Sequence, residues 1–320
     1  MTRIAPAETR VVVTGGAGFI GANLCEELLR RGVGTVVAID DLSTGLRANL
    51  EQLPVVLREG TILDTDLLDD ACNGATAIVH LAARPSVPRS LTDPVATHEA
   101  NATGTLRVLE AARRHGAAVV VASSSSVYGR NPALPKHEDM LPMPVSPYAV
   151  SKLAAESYAL AYSECFGVPI LPFRFFNVFG PLQAAGHAYA AVIPSFLDAA
   201  VSGRALVVHG DGRQTRDFTF VDTVTSVLAT AVLRGVTSNR PVNLAFGTRT
   251  SLLEVIAHLE DLLGHRIEVR HVESRPGDVR DSQADNGRLR ALFPEARPVD
   301  FREALAATLE WFRNGARSAG

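Results

Sequence analysis

A short apolar run, Val11-Val12-Val13-Thr14, passes straight into Gly15-Gly16-Ala17-Gly18-Phe19-Ile20-Gly21, and this junction restricts the fold more than any other feature. Glycines at 15, 18 and 21 follow a G-x-x-G-x-x-G spacing. Such a turn reverses the chain tightly after a strand and lets backbone approach a pyrophosphate. It also allows the next helix to pack closely on the strand. The amino terminus of that helix offers free N–H groups and a partial positive charge to an anion. The motif carries weight only inside a βαβ unit, and the following sequence supplies one. Val/Ile-rich runs at 10–14, 35–39, 55–57, 77–81, 117–122 and 168–173 alternate with helical patterns at 21–31, 65–73, 95–115 and 147–166. Several runs are apolar on both faces, as strands of a parallel sheet covered on both sides are.

The expected fold class is therefore α/β, a doubly wound parallel (Rossmann) sheet over residues 1–175. A smaller α+β lobe follows over 176–320, with parts of 217–245 packing back on the sheet. Short strands are expected in it at 205–209, 217–221, 242–245 and 266–271, and Ser251-Leu-Leu-Glu254 reads as a capping box. A ligand belongs in the crevice between the two, at the carboxyl ends of the strands.

The second run ends at Asp40, 19 residues beyond Gly21. A carboxylate there accepts hydrogen bonds from ribose hydroxyls and repels a 2′-phosphate, and the nearest arginine is Arg47, so NAD is favoured over NADP. Gly15, Gly18, Phe19 and Ile20 would carry the pyrophosphate. Asp64 could reach the adenine amino group, and Leu81, Ala82 and Ala83 would lie along the cofactor. His80 reads as a satisfied core histidine.

The fifth run leads into Ser123-Ser124-Ser125-Ser126, and Tyr148 and Lys152 open a later helix at i and i+4, on one face. A tyrosine with an ordinary pKa near 10 is a poor base at neutral pH. A neighbouring ammonium and the positive charge of oxidised nicotinamide both favour the phenolate, giving a usable general base. A serine hydroxyl from the strand end can hold the reacting hydroxyl or relay its proton.

Composition excludes several alternatives. A net charge of −3 and a pI near 6.3 show no cationic footprint for nucleic acid or anionic lipid. Three scattered cysteines make neither a disulfide framework nor a zinc site, and the histidines show no ligand spacing, so no metal is assigned. No apolar run approaches the roughly 20 residues that span a bilayer, and no secretory leader is evident, so a cytoplasmic location without a membrane partner is expected.

Gly15–Gly21, Asp40, Ser124, Tyr148 and Lys152 resemble the extended short-chain dehydrogenase/reductases, over residues 10 to about 312. Within them the chain is most similar to the nucleotide-sugar 4-epimerases acting on UDP-glucuronate, UDP-glucose or UDP-N-acetylglucosamine. Ser123–Gly129, Ser146–Lys152, Phe175–Pro181, Gly210–Phe218 and Arg275–Asp278 carry that likeness. The resemblance implies that Ser124, Tyr148 and Lys152 are catalytic, with Tyr148 and Lys152 also contacting the cofactor. It places Asn177 against the sugar diphosphate, Arg216 and Arg275 on its phosphates, and Asp278 on the uridine ribose. It also puts Ser86, Ser125, Ser126, Gln183, Ala191, Val192 and Ser282 around the sugar.

The implied reaction removes hydride from C4 to NAD as Tyr148 takes the 4-OH proton, then returns hydride to the opposite face of the keto sugar. A UDP-sugar substrate and a homodimer are implied as partners. The related 4,6-dehydratases carry Thr-Asp-Glu where this chain has Ser124-Ser125-Ser126, which argues against elimination. The choice of sugar leans to UDP-glucuronate together with UDP-glucose, with Ser125 and Ser126 as donors to a C6 carboxylate. Gln183 points to N-acetylhexosamine-type relatives, from which Pro85 departs. Leu182 and Ala184 stand where some uronate epimerases carry arginine.

Overall fold

The computed structural model describes residues 5–185, 190–273 and 280–318 of the 320. The strands are β1 (Arg10–Thr14), β2 (Thr35–Asp40), β3 (Val56–Glu59), β4 (Ala77–His80), β5 (Ala118–Ser124), β6 (Ile170–Phe175), β7 (Val178–Phe179), β8 (Leu206–His209), β9 (Thr215–Arg216), β10 (Thr219–Phe220), β11 (Val242–Leu244), β12 (Thr250–Ser251) and β13 (Val269–Val272). The helices are α1 (Phe19–Arg30), α2 (Thr65–Cys72), α3 (Val87–Thr92), α4 (Pro94–His98), α5 (Gly104–His115), α6 (Pro147–Phe166), α7 (Val192–Val201), α8 (Val221–Arg234), α9 (Leu252–Leu263), α10 (Gly287–Leu292) and α11 (Phe301–Ser318).

Seven strands form one parallel sheet in the order β11-β6-β5-β4-β1-β2-β3. The chain winds outward from β1 in both directions, so a crevice opens between the carboxyl ends of β1 and β4, where the winding reverses. Both faces are covered, which is why Val11 to Val13, Val36 to Ile39 and Val119 to Val121 are all buried. One face packs on α1 and α8, burying Leu24, Leu28, Val224 and Val227; the other buries Leu68, Val108, Leu109 and Ala159. A third core, built from Phe179, Phe196, Leu197, Val255, Leu259 and Leu305, holds the lobe made by α7, α9 and α11 with the β8–β13 pair.

Three elements differ from the expectations. The run at 242–245, expected as a lobe strand within the 217–245 stretch that packs back on the sheet, yields β11, which joins the sheet itself by pairing in parallel with β6. The expected strand at 217–221 is divided into β9 and β10 by Asp217, whose buried carboxylate accepts Gly247 N, Thr248 N and Oγ1, and Ala284 N. The expected helix at 95–115 starts at Pro94 and contains a π turn, Glu99–Thr103. Asn101 in that turn accepts from Arg84 N at 2.7 Å and donates to Ser151 Oγ at 2.9 Å. One extra residue in the turn re-aims a side chain, a usual function of a π bulge.

Candidate active site

Gly15 has φ +70°, and a Cβ there would stand 2.8 Å from Ala82 N; at Gly21 it would stand 2.0 Å from Gly15 O. Only hydrogen fits at either position. The turn therefore brings β1, β4 and the start of α1 into contact, and α1 begins without a side-chain cap. Its first-turn amides have no acceptor within the helix. They face a cleft of about 660 Å³ that runs along the carboxyl ends of the strands.

At one end of the cleft, Asp40 closes β2. Its Oδ2 accepts Ala17 N and its Oδ1 accepts Leu42 N, both at 2.9 Å. Burial raises its pKa, and the Leu42 and Ala17 amides oppose that rise. Each oxygen keeps a lone pair for a further donor. The bare amides, the missing Cβ atoms and this carboxylate suit the pyrophosphate and ribose of a dinucleotide. Gly21→Ala is expected to weaken NAD binding at least about tenfold in a calorimetric titration, the equivalent of roughly 1.4 kcal/mol. Undiminished affinity would overturn the assignment of this turn.

Three strands away, about 14 Å at the usual spacing, β5 ends beside α6. Ser146 caps α6 through Ala149 N and Pro147 fills its first turn, so Tyr148 and Lys152 face the strand end. Ser124 Oγ accepts from Ser126 N at 3.2 Å and from Ser126 Oγ at 2.9 Å. Its own proton is left for the neighbouring Tyr148 oxygen, and its influence there lowers the phenol pKa. Lys152 Nζ donates to Ala122 O at 2.9 Å.

The electrostatics differ from the simple expectation of an ammonium-stabilised phenolate. Burial raises the Tyr148 phenol above its ordinary value, and the Ser124 hydrogen bond opposes this. Burial also lowers Lys152, to about 8. His80, fixed between Thr14 Oγ1 at 2.7 Å and Thr105 Oγ1 at 2.9 Å, is pushed to about 3 by burial and then by the Lys152 charge. It is a neutral core histidine. Lys152 thus supplies only part of the positive charge needed to ionise Tyr148, which leaves a share of that task to oxidised nicotinamide when it is bound.

The cleft brings together Gly15, Gly18, Phe19, Ile20, Asp40, Leu81, Ala82, Ala83, Ser86, Ser124, Ser125, Tyr148, Lys152, Asn177, Gln183 and Ala191. Asp64 is not among them, because its carboxylate caps α2 through Asp66 N and Leu67 N; Thr61 and Ile62 line the wall instead. An aspartate directly before a helix is an N-cap signature, so this part was readable. Ser126 is used in holding Ser124. Val192 starts α7 and packs toward the lobe core. Arg216 donates to the carbonyls of Thr215 and Arg280, and the Ser282 amide donates to Thr215 O. None of these four residues lines the cleft. Arg275 and Asp278 lie outside the described residues.

Sequence reasoning also passed over Arg84 and Arg89, both of which line the cleft from the segment after β4. Backbone strain gathers here as well. Among the described non-glycine residues with positive φ, Ser86, Asn177 and Leu182 line the cleft and Leu42 follows Asp40.

Residues 11–245 match the NAD dependent epimerase/dehydratase family. The chain belongs to this family. Its cofactor is NAD. The chain is 38% identical to a UDP-glucose 4-epimerase of Mycolicibacterium smegmatis, over 95% of this chain and 99% of that protein. Among solved structures it is similar to a UDP-N-acetylglucosamine 4-epimerase from Methanobrevibacter ruminantium in complex with UDP-N-acetylmuramic acid. That likeness has a TM-score of 0.91 and 33% identity, and covers 96% of this chain and 99% of the other. It is also similar to a UDP-glucuronic acid 4-epimerase from Bacillus cereus in complex with UDP-glucuronic acid and NAD. There the TM-score is 0.87 at 29% identity, covering 96% and 99%. Among the described residues, no helix is long and apolar enough to cross a membrane.

Proposed function

We propose that the chain interconverts the C4 epimers of a UDP-sugar through a transient 4-keto sugar, with UDP-glucuronate as substrate. One observation carries the choice of epimerisation over elimination. Among the described residues lining the cleft, the carboxylates are Asp40 and Asp41, both at the β2 end. The Glu156 carboxylate, one turn beyond Lys152, is buried and held by Arg174 and Ser123, so what this end of the cleft presents is hydroxyls, an amine, amides and guanidinium groups. A 4,6-elimination needs a carboxylate to take a proton from carbon, and a hydroxyl is no substitute. Proton transfer at the sugar oxygen needs only what this end of the cleft holds.

NAD, when bound, supplies the hydride acceptor and donor at C4. Tyr148 takes the 4-OH proton and later returns it. Ser124, ordered by Ser126, donates to the Tyr148 oxygen and steadies the sugar hydroxyl. Lys152 adds positive charge beneath them. The strained Asn177 backbone, fixed by Asn177 Nδ2 to Asp217 O at 3.1 Å, shapes the wall where the nucleotide diphosphate would lie.

The glucuronate reading rests on Arg84 and Arg89, which line the cleft after β4, with Arg84 ion-paired to Asp93 at 3.3 Å, whereas the carboxylates that line the cleft stand at its β2 end. Their planar forks suit a sugar carboxylate. The B. cereus relative, solved with UDP-glucuronic acid, supports the same choice. The test is product analysis by anion-exchange chromatography, without added NAD, on UDP-glucuronate, UDP-glucose and UDP-N-acetylglucosamine separately. The galacto isomer of UDP-glucuronate should form fastest. Faster turnover of either neutral sugar would reject glucuronate, and no isomer from any of the three, with NAD supplied, would reject epimerisation of these sugars.

A further inference from the structure

Tyr148, Lys152 and Glu156 stand four residues apart on one face of α6, and each meets one of three consecutive residues at the end of β5. The Ser124 hydroxyl acts on the Tyr148 phenol beside it in the cleft wall, and Lys152 Nζ donates to Ala122 O at 2.9 Å. Glu156 Oε2 accepts Ser123 Oγ at 2.7 Å. The first two contacts belong to the catalytic group, whereas the third has no assigned purpose. Glu156 is only 3% exposed and forms a two-pronged ion pair with Arg174, itself 2% exposed, at 2.6 and 2.9 Å.

Arg174 sits directly opposite Ser123 in the β5–β6 register. It also reaches the other end of the catalytic segment. Its guanidinium donates to Glu138 O at 3.3 Å and lies 4.7 Å from the centre of the Tyr128 ring. The Tyr128 hydroxyl and the Glu138 carboxylate are both bonded to Asn243 of β11, at 2.6 and 2.8 Å. The pair therefore grips the β5 end, the 125–146 segment that delivers Tyr148, and α6 itself.

A buried ion pair is a poor device for stability alone, since a well-packed apolar pair of similar volume is often as stable or more so. Its directional bonds instead hold neighbouring groups in one arrangement. We propose that Glu156, clamped by Arg174, is a positioning residue that fixes the β5 end against α6 so that Ser124 and Tyr148 meet. This rests on the catalytic role given to that pair above.

The test compares Ser123→Ala and Glu156→Gln with the wild-type protein in two measurements. The first is turnover of whichever UDP-sugar the wild type epimerises. A displacement on the order of 1 Å at reacting groups can cost about 100-fold, so Glu156→Gln should lower kcat about 10- to 100-fold with KM within about twofold. Ser123→Ala, which leaves the ion pair whole, should lower kcat by a smaller factor, and the double variant should be no worse than Glu156→Gln alone.

The second measurement needs no activity. It is the ultraviolet titration of the Tyr148 phenol, taken as the difference from Tyr148→Phe in the same background. Lys152 on α6 and Arg84 and Arg89 after β4, which share the cleft with this tyrosine, and His80 on β4, which feels the Lys152 charge, are unchanged in both variants. Losing the Ser124 contact should raise the phenol pKa by about one unit, the worth of roughly one hydrogen bond. If wild type turns over no sugar, the functional reading fails while this titration still decides the positioning. An unchanged titration and unchanged kcat in Ser123→Ala would overturn the proposal, even if Glu156→Gln fails to fold. A lowered melting temperature with normal kcat and titration in Glu156→Gln would likewise show a purely structural pair.

Discussion

Tyr148→Phe is expected to lower kcat by about three orders of magnitude, within the range that loss of a general acid–base group produces. The substitution deletes one oxygen and keeps the ring, so α6 and its contact with β5 should stay as they are. Ser124 keeps both of its Ser126 donors and loses only the partner of its own proton. The dinucleotide end of the cleft is three strands away and should be unaffected. NAD affinity should therefore match the wild type while chromatographic turnover nearly disappears. Residual activity within tenfold of wild type would remove Tyr148 as the base.

Lys152→Met should separate stability from activity, moving them in opposite directions. Lys152 is 7% exposed, and burial lowers its ammonium from the ordinary 10.5 to about 8. A lysine whose folded pKa lies below its unfolded one destabilises the fold fully below the folded value. That penalty fades as pH rises from about 8 toward 10.5. At pH 7 the shift corresponds to about 3 kcal/mol, at about 1.4 kcal/mol per unit. Losing the hydrogen bond to Ala122 O offsets about 1 kcal/mol of this. The cofactor-free variant should thus melt a few degrees above wild type at pH 7, with the advantage shrinking by pH 10. Turnover should fall at least about 100-fold, because the group supporting the phenolate is gone. A variant that melts below wild type at pH 7 would contradict the buried-charge reading.

The central sheet was legible because its strands are short, Val-rich and apolar on both faces, a pattern that needs no knowledge of neighbours. The Gly15–Gly21 turn and the Tyr148/Lys152 spacing were legible for a similar reason, being local and chemically demanding. What sequence reasoning missed depends on partners far along the chain. The π turn at Glu99–Thr103 goes with Asn101 bonds to Arg84 and Ser151. The interruption at Asp217 follows from donors at Gly247, Thr248 and Ala284. Arg84 and Arg89 are ordinary loop and helix arginines until the segment after β4 is seen to wall the cleft. Asp64 is a different case, since its local cap signature was present and a cofactor contact was preferred over it.

The last strand of the sheet comes from far along the chain. β6 ends at Phe175, and its outer neighbour β11 begins only at Val242. A ribosome adding about 5–20 residues per second leaves that edge bare for a few seconds or longer after β6 emerges. An unpaired edge rich in Ile170, Leu171 and Phe173 is a template for pairing with another nascent chain. In the cell, the interval before β11 arrives is when this protein is most open to aggregation. The two halves of the sequence are thus interleaved in the central sheet, whose outer strand is made after much of the lobe.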